Sequence, residues 1–134
     1  MSINCTCLSH IDGAEFVQEF VVGPTDFAAH LGSGDLKVLG TPRLIAWMES
    51  VTVTLLEQCQ SPECTSVGVH IDIRHLAPSI EGDRVQVAIR VHEVSGSKIH
   101  FAVTATSVGN TLAEGVITRA HVNREKFMHR LGGR

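Results

Sequence analysis

Two ionisable side chains, a hydroxyl and a glycine stand where their types and spacing could do chemistry. Glu49 follows Trp47 and Met48 in the most apolar stretch of a helical pattern, and on a wheel it shares a side with Ile45, Thr52 and Leu56. A carboxylate withdrawn from water costs free energy unless it is paired or protonated, and partial burial is how proteins tune such a group for proton transfer. The competing reading puts Glu49 at the helix's solvent edge, without a task. His75 ends an alternating run and has the parity of Val69, Ile71 and Ile73, so it belongs on the helix-facing side, whereas His70 has the opposite parity. An imidazole, with an ordinary pKa of about 6.5, exchanges protons near neutrality. The chain has eight histidines, so an ordinary structural position is equally open to it.

Thr41 precedes Pro42 and reads as a helix N-cap, its hydroxyl accepting from a first-turn amide. The amides behind such a cap form a positive helix end that can hold a developing oxyanion. Gly68 interrupts a β-rich run, which points either to close approach of a backbone or ligand or to a bulge. The cysteines offer less. Cys5-Thr6-Cys7 with His10, and Cys59 with Cys64, do not have the spacings of zinc sites with known geometry, so no metal is expected. No phosphate-cradling glycine loop and no G-x-S-x-G elbow occurs.

These residues need a scaffold, and the composition describes it. The chain has 134 residues, enough for one core, so residues 1–134 are expected to form a single domain. Hydrophobic residues make up 43% and charged residues 19%, which excludes a disordered tail. Eleven Lys+Arg against 14 Asp+Glu, with no basic run, argue against nucleic acid as a partner. No apolar stretch approaches the ~18 residues of a membrane span, and MSINCTCLSH does not read as a signal peptide. The expected compartment is the cytoplasm, where the four cysteines would be reduced.

With no Tyr and one Trp, the core must be filled mainly by Val, Ile, Leu and Ala. Alternation predicts a strand over Glu15–Val22, closed by Gly23-Pro24, then a glycine-rich loop to Gly40 with one helical turn near Phe27–Leu31. That loop suits a lid or channel edge, or a plain tether. Leu44, Met48, Val51 and Leu55 recur at four, three and four, predicting a helix from about Pro42 to Gln58. Four alternating runs follow: Ser66–Leu76, Arg84–His92, Lys98–Ser107 and Leu112–Val122, the last with a suspected bulge at Gly115. Asn123 could cap a final turn carrying Phe127 and Leu131. One helix cannot cover both faces of such a sheet. The expected architecture is α+β, an antiparallel sheet of five or more strands curled around one long helix, its other face solvated or paired with a second subunit.

Thr41-x7-Glu49 on the helix, Gly68-x6-His75 on the strand, and Arg119-Ala120 with Glu125-Lys126-Phe127 behind it together resemble the fluoroacetyl-CoA thioesterase family of hotdog-fold proteins. The resemblance implies a homodimer whose sheets join and whose active sites lie at the subunit interface. It implies a triad of Thr41, Glu49 and His75, with Gly68 and Arg119 at the substrate. The substrate would be an acyl-CoA, hydrolysed to carboxylate and CoA without metal or cofactor. CoA phosphates call for Lys or Arg, and Arg43, Arg74, Lys98 and Arg119 are candidates. Family members that select fluoroacetyl groups have aromatic residues in the loop before the helix, whereas Gly32–Gly40 has none, so a short-acyl or aryl-acyl thioester is the expected substrate class. Hotdog hydratases carry Asp and His in an Asn-Pro loop, which this chain lacks; a non-catalytic acyl-thioester binder is the remaining alternative.

Overall fold

The structure, a computed structural model, describes residues 8–133. Five strands form one antiparallel sheet: β1 (Glu15–Val21), β2 (Cys64–His75), β3 (Arg84–Ser95), β4 (Lys98–Ser107) and β5 (Asn110–Asn123). Their order is β1-β3-β4-β5-β2, so β1 and β2 are the edges. A one-turn helix α1 (Ala28–Leu31), the long helix α2 (Thr41–Cys59) and a closing helix α3 (Arg124–Gly132) complete the chain. This is the α+β hotdog arrangement, a sheet with one long helix packed on it.

The helix forms where the apolar stripe requires it. Leu44, Met48 and Val51 are wholly buried and Leu55 nearly so, packed with Phe101, Ile99 and Ile117 of the sheet. Thr52 and Leu56 are buried as well, so α2 buries a second stripe, the one Glu49 belongs to. The alternating residues Val85, Val87, Ile89 and Val91 of β3 and Ile99, Phe101, Val103 and Ala105 of β4 face this core. Trp47 at the flank of α2 stacks on Phe20 of β1, ring centroids 4.8 Å apart, an arrangement that adds modestly to the buried area.

Several expectations shift. The helix begins one residue earlier, with Gly40 as N-cap and Thr41 as its first helical residue. Thr41 is therefore no cap, and its hydroxyl is released for another partner. The bulge suspected at Gly115 lies elsewhere in β5. The register against β4 slips between Ala105 and Thr106, skipping Leu112, while Gly115 pairs in register with Val103. Glycine is required at 115 because a Cβ there would run into the backbone carbonyl of Asp72. β2 also differs. Its register slips between Gly68 and His70, leaving Val69 unpaired, and a bulge of this kind exchanges the faces of the strand. Ser66 and Gly68 therefore share the helix side with Ile73 and His75, while Val69 is pushed outward and 48% exposed. The final turn grows into a nine-residue helix, and Asn123 caps it as expected, accepting from the Lys126 amide at 2.9 Å.

The segment between β1 and α2 is folded back on itself. Ala28 N donates to Val38 O, Gly40 N to Asp26 O, and Leu39 N to Ser79 O. Asp26 pairs with Arg43 of α2 at 3.0 Å. The loop is thus fixed against the start of the helix and the β2–β3 connection. Cys64 is disulfide-bonded, contrary to the expectation of reduced thiols; Cys59 is free. The Cys5/Cys7 cluster also lies outside them. Among the described residues no helix is long and apolar enough to cross a membrane, and no group of three or more His, Cys, Asp or Glu could hold a metal ion.

Candidate active site

Thr41 and His75 meet. The start of α2 and the end of β2 lie side by side, and Thr41 Oγ1 sits 2.7 Å from His75 Nδ1. The other ring nitrogen, Nε2, is buried without a hydrogen-bond partner among the described residues. Burial lowers the His75 pKa below its ordinary value, and the Ala77 backbone offsets this in part. At neutral pH the ring is uncharged, with Nδ1 held by threonine and Nε2 left for another molecule. Which of the two nitrogens carries the proton follows from the direction of the threonine bond.

This pair lines an open cleft of about 290 Å³, whose other walls are Ala28, Ser33, Val38 and Leu39 from the folded-back loop and Leu76, Ala77 and Pro78 after β2. No Asp, Glu, Lys or Arg lines it, and no Phe or Trp. The glycine-rich loop is therefore a channel edge, fixed in place by its own backbone bonds.

Glu49 lies two turns further along α2, beside a different set of residues. Its Oε2 is 3.3 Å from Nη1 of Arg119 on β5. Arg119 is 7% exposed and also donates to Ser66, from Nε to the hydroxyl at 2.8 Å and from Nη2 to the carbonyl at 3.0 Å. Desolvation lowers the Arg119 pKa, countered by the charge of Glu49 and its hydrogen bond; a guanidinium starts so high that it stays cationic. Glu49 keeps about a third of its side chain open. Gly68 explains itself here. A Cβ at Gly68 would lie 2.7 Å from Glu49 Oε2, so the carboxylate occupies the room that the missing side chain leaves.

The sequence-predicted residues thus fall into two groups within one chain: Thr41 with His75, and Glu49 with Gly68 and Arg119. The eight residues from Thr41 to Glu49 span about 12 Å along a helix, and Glu49 does not line the cleft. Arg119, expected at the substrate, is occupied inside the chain with Ser66 and Glu49. Ser66 was not singled out from sequence. Its only signal is a place two residues before Gly68, and this spacing puts it on the helix side only once the bulge is known. Of the cations considered for CoA, Arg43 is engaged with Asp26 and with Thr25 O at 3.2 Å, while Arg74 and Lys98 are exposed.

The model of the FlK family, fluoroacetyl-CoA-specific thioesterase, matches residues 22–125. The chain belongs to this thioesterase family. Membership makes it a thioester hydrolase. A crystal structure of a fluoroacetyl-CoA-specific thioesterase FlK variant in complex with fluoroacetate and CoA is 26% identical, with a TM-score of 0.82 over 87% of this chain and 98% of that one. A further FlK structure is 25% identical, with a TM-score of 0.85 over 92% and 96%. A hot-dog-like protein from Thermanaerovibrio acidaminovorans, 20% identical with a TM-score of 0.87 over 95% and 96%, shares the fold. Among curated protein sequences none matches.

Proposed function

We propose that the protein is an acyl-CoA thioesterase that hydrolyses a small acyl thioester to the carboxylate and CoA, with Thr41, Glu49 and His75 as its working residues. The observation that carries this reading is the 2.7 Å Thr41–His75 contact at the wall of an uncharged cleft, with an unpartnered imidazole nitrogen. A thioester carbonyl is electrophilic and a thiolate leaves readily, so positioned side chains suffice. Glu49, anchored by Arg119, which Ser66 holds in turn, attacks the carbonyl or takes the proton from water. The neutral His75 accepts at Nε2 the proton that the hydrolysing water gives up, directly when Glu49 is the nucleophile and by way of Glu49 when it is the base, and passes it to the thiolate released as the C–S bond breaks. Thr41 fixes the ring and orients the acyl group. The backbone at Gly68 or the start of α2 supplies donors for the oxyanion.

The same reading makes the site an interface between two copies. β2 is an edge strand with a free outer side among the described residues, carrying exposed Val69 and Ile71. Two such edges pairing antiparallel about a two-fold axis between Gly68 and His75 bring the Gly68–Glu49 end of one chain toward the Thr41–His75 end of the other. A cytoplasmic setting, where acyl-CoA is made and spent, belongs to this reading, although the Cys64 disulfide is unusual for a reducing compartment.

Thiol release from a panel of acyl-CoA esters is the test. A hydrolase frees CoA and the matching acid in equal amounts. A hydratase frees no thiol, and a binding protein leaves the ester unchanged; either result overturns the proposal.

A further inference from the structure

The cleft beside His75 is larger than a two-carbon acyl group needs, and its walls are aliphatic. Resting on the thioesterase reading above, we infer that the preferred acyl group is aliphatic, uncharged at its far end, and about four to eight carbons long. The size follows from the cleft volume. At roughly 30 Å³ per water-sized group, about 290 Å³ holds around ten non-hydrogen atoms. A thioester carbon, its oxygen and the sulfur account for three of them. An acetyl or fluoroacetyl group adds one or two more and leaves about half the cleft unfilled.

The lining decides the character. Beyond Thr41 and His75, the walls are Ala28, Val38, Leu39, Leu76, Ala77 and Pro78, with Ser33 the one further hydroxyl. No Lys or Arg is present to pair with the distal carboxylate of a dicarboxylic acyl group, and burying that charge unpaired is costly. No aromatic side chain offers a ring face to an aryl group or to a C–F bond: Phe27 is buried behind the loop, paired with Leu39 across an isolated bridge, and does not line the cleft. Small side chains at Ala28, Ser33 and Ala77 open the space. The loop holding the wall is tied down by the backbone bonds Ala28 N–Val38 O, Gly40 N–Asp26 O and Leu39 N–Ser79 O. Within one chain the cleft is therefore an open slot with aliphatic walls.

Each methylene buried in such a slot raises kcat/KM by about fourfold until the slot is full. The experiment measures kcat/KM of the full chain for acetyl-, fluoroacetyl-, butyryl-, isovaleryl-, hexanoyl-, decanoyl-, succinyl- and phenylacetyl-CoA. A maximum between butyryl and hexanoyl, at least tenfold above acetyl, fluoroacetyl and succinyl, is expected. A flat profile, or a maximum at acetyl, fluoroacetyl, succinyl, phenylacetyl or decanoyl, overturns the inference while leaving the hydrolase reading intact. No thiol release from any ester would instead remove the hydrolase reading. Val38→Phe fills the slot and should lower the hexanoyl-to-acetyl ratio at least tenfold. Leu76→Phe, on a half-exposed side chain that substitution cannot unfold the core through, gives the same readout should the Val38 variant fail to fold. An unchanged ratio in a folded variant refutes the assignment of these walls to the acyl chain.

Discussion

Glu49 and His75 differ in how their surroundings prepare them. Glu49 is fastened by a buried guanidinium that is itself triply hydrogen-bonded, so its carboxylate is held in one place with one side open. Replacing it removes the base or nucleophile, and Glu49→Ala should lose about 10²–10⁴-fold in kcat with the fold retained. Steady-state kinetics with a circular dichroism control checks this; turnover near wild type would take Glu49 out of the reaction. His75 acts from its neutral form, and burial holds its pKa below the ordinary 6.5. Protonation on acidification therefore removes the base, and kcat/KM should be flat above about pH 6.5 and fall through the lowered pKa below it. His75→Gln should abolish that acid limb together with most of the activity. The same shift bears on folding. A group whose pKa is lower when folded than unfolded binds more protons in the unfolded chain at acid pH, so stability is lost as pH drops from 6.5 toward the folded value. A urea titration at pH 7 and at pH 5.5 should show this slope reduced in the His75 variant.

At the scale of elements, the strands explain both what was legible in the sequence and what was not. The α2 stripe of Leu44, Met48, Val51 and Leu55 could be read directly because helical burial repeats with a fixed period, and all four are buried. The placement of Glu49 beside Thr52 and Leu56 followed from the same period. β2 was misread in part. Period-two reading assumes an unbroken ladder, and one unpaired residue at Val69 reverses the face assignment of everything before it. His75 lies beyond the bulge and keeps the face its parity predicts, whereas Ser66 lies before it and reaches the helix side only through the slip. Thr41 reads locally as an N-cap, and only the family resemblance gives it a task. A backbone N-cap at Gly40 leaves its hydroxyl to His75, and no local pattern announces a partner 34 residues away. The two glycines that face neighbouring groups now make opposite predictions. At Gly68 the atom that must yield to a Cβ is the tip of a flexible carboxylate, so Gly68→Ala should fold normally and lose about 10²-fold in activity through a displaced Glu49. At Gly115 the obstacle is the Asp72 backbone, so Gly115→Ala should lower stability by about 3 kcal/mol, or roughly 10 °C in Tm. Thermal melts of both variants separate the two outcomes.

At the scale of the molecule, one chain holds two half-sites that it does not itself bring together, and this sets a quantitative test of the shared interface. Thr41→Ala disables the Thr41–His75 half, and Glu49→Ala disables the Glu49–Arg119 half. If each active site draws one half from each copy, a heterodimer of the two variants contains one site with both lesions and one site with none. Random exchange makes half of all dimers heterodimers, so the mixture should recover about one quarter of wild-type activity from two nearly inactive proteins. If instead a single chain builds the whole site, every site carries one lesion and mixing restores nothing. The exchange has to be real for the number to mean anything. It is forced by unfolding and refolding the two variants together, and a tag on one of them confirms heterodimers by co-purification. Recovery per total protein that rises with the ratio of the two chains, peaks at equal amounts and falls again beyond them is the signature of complementation across a two-fold axis. Activity that stays at the sum of the separate variants, with heterodimers demonstrably present, would require Thr41, Glu49 and His75 to converge within one subunit, which the roughly 12 Å along α2 does not permit without bending the helix.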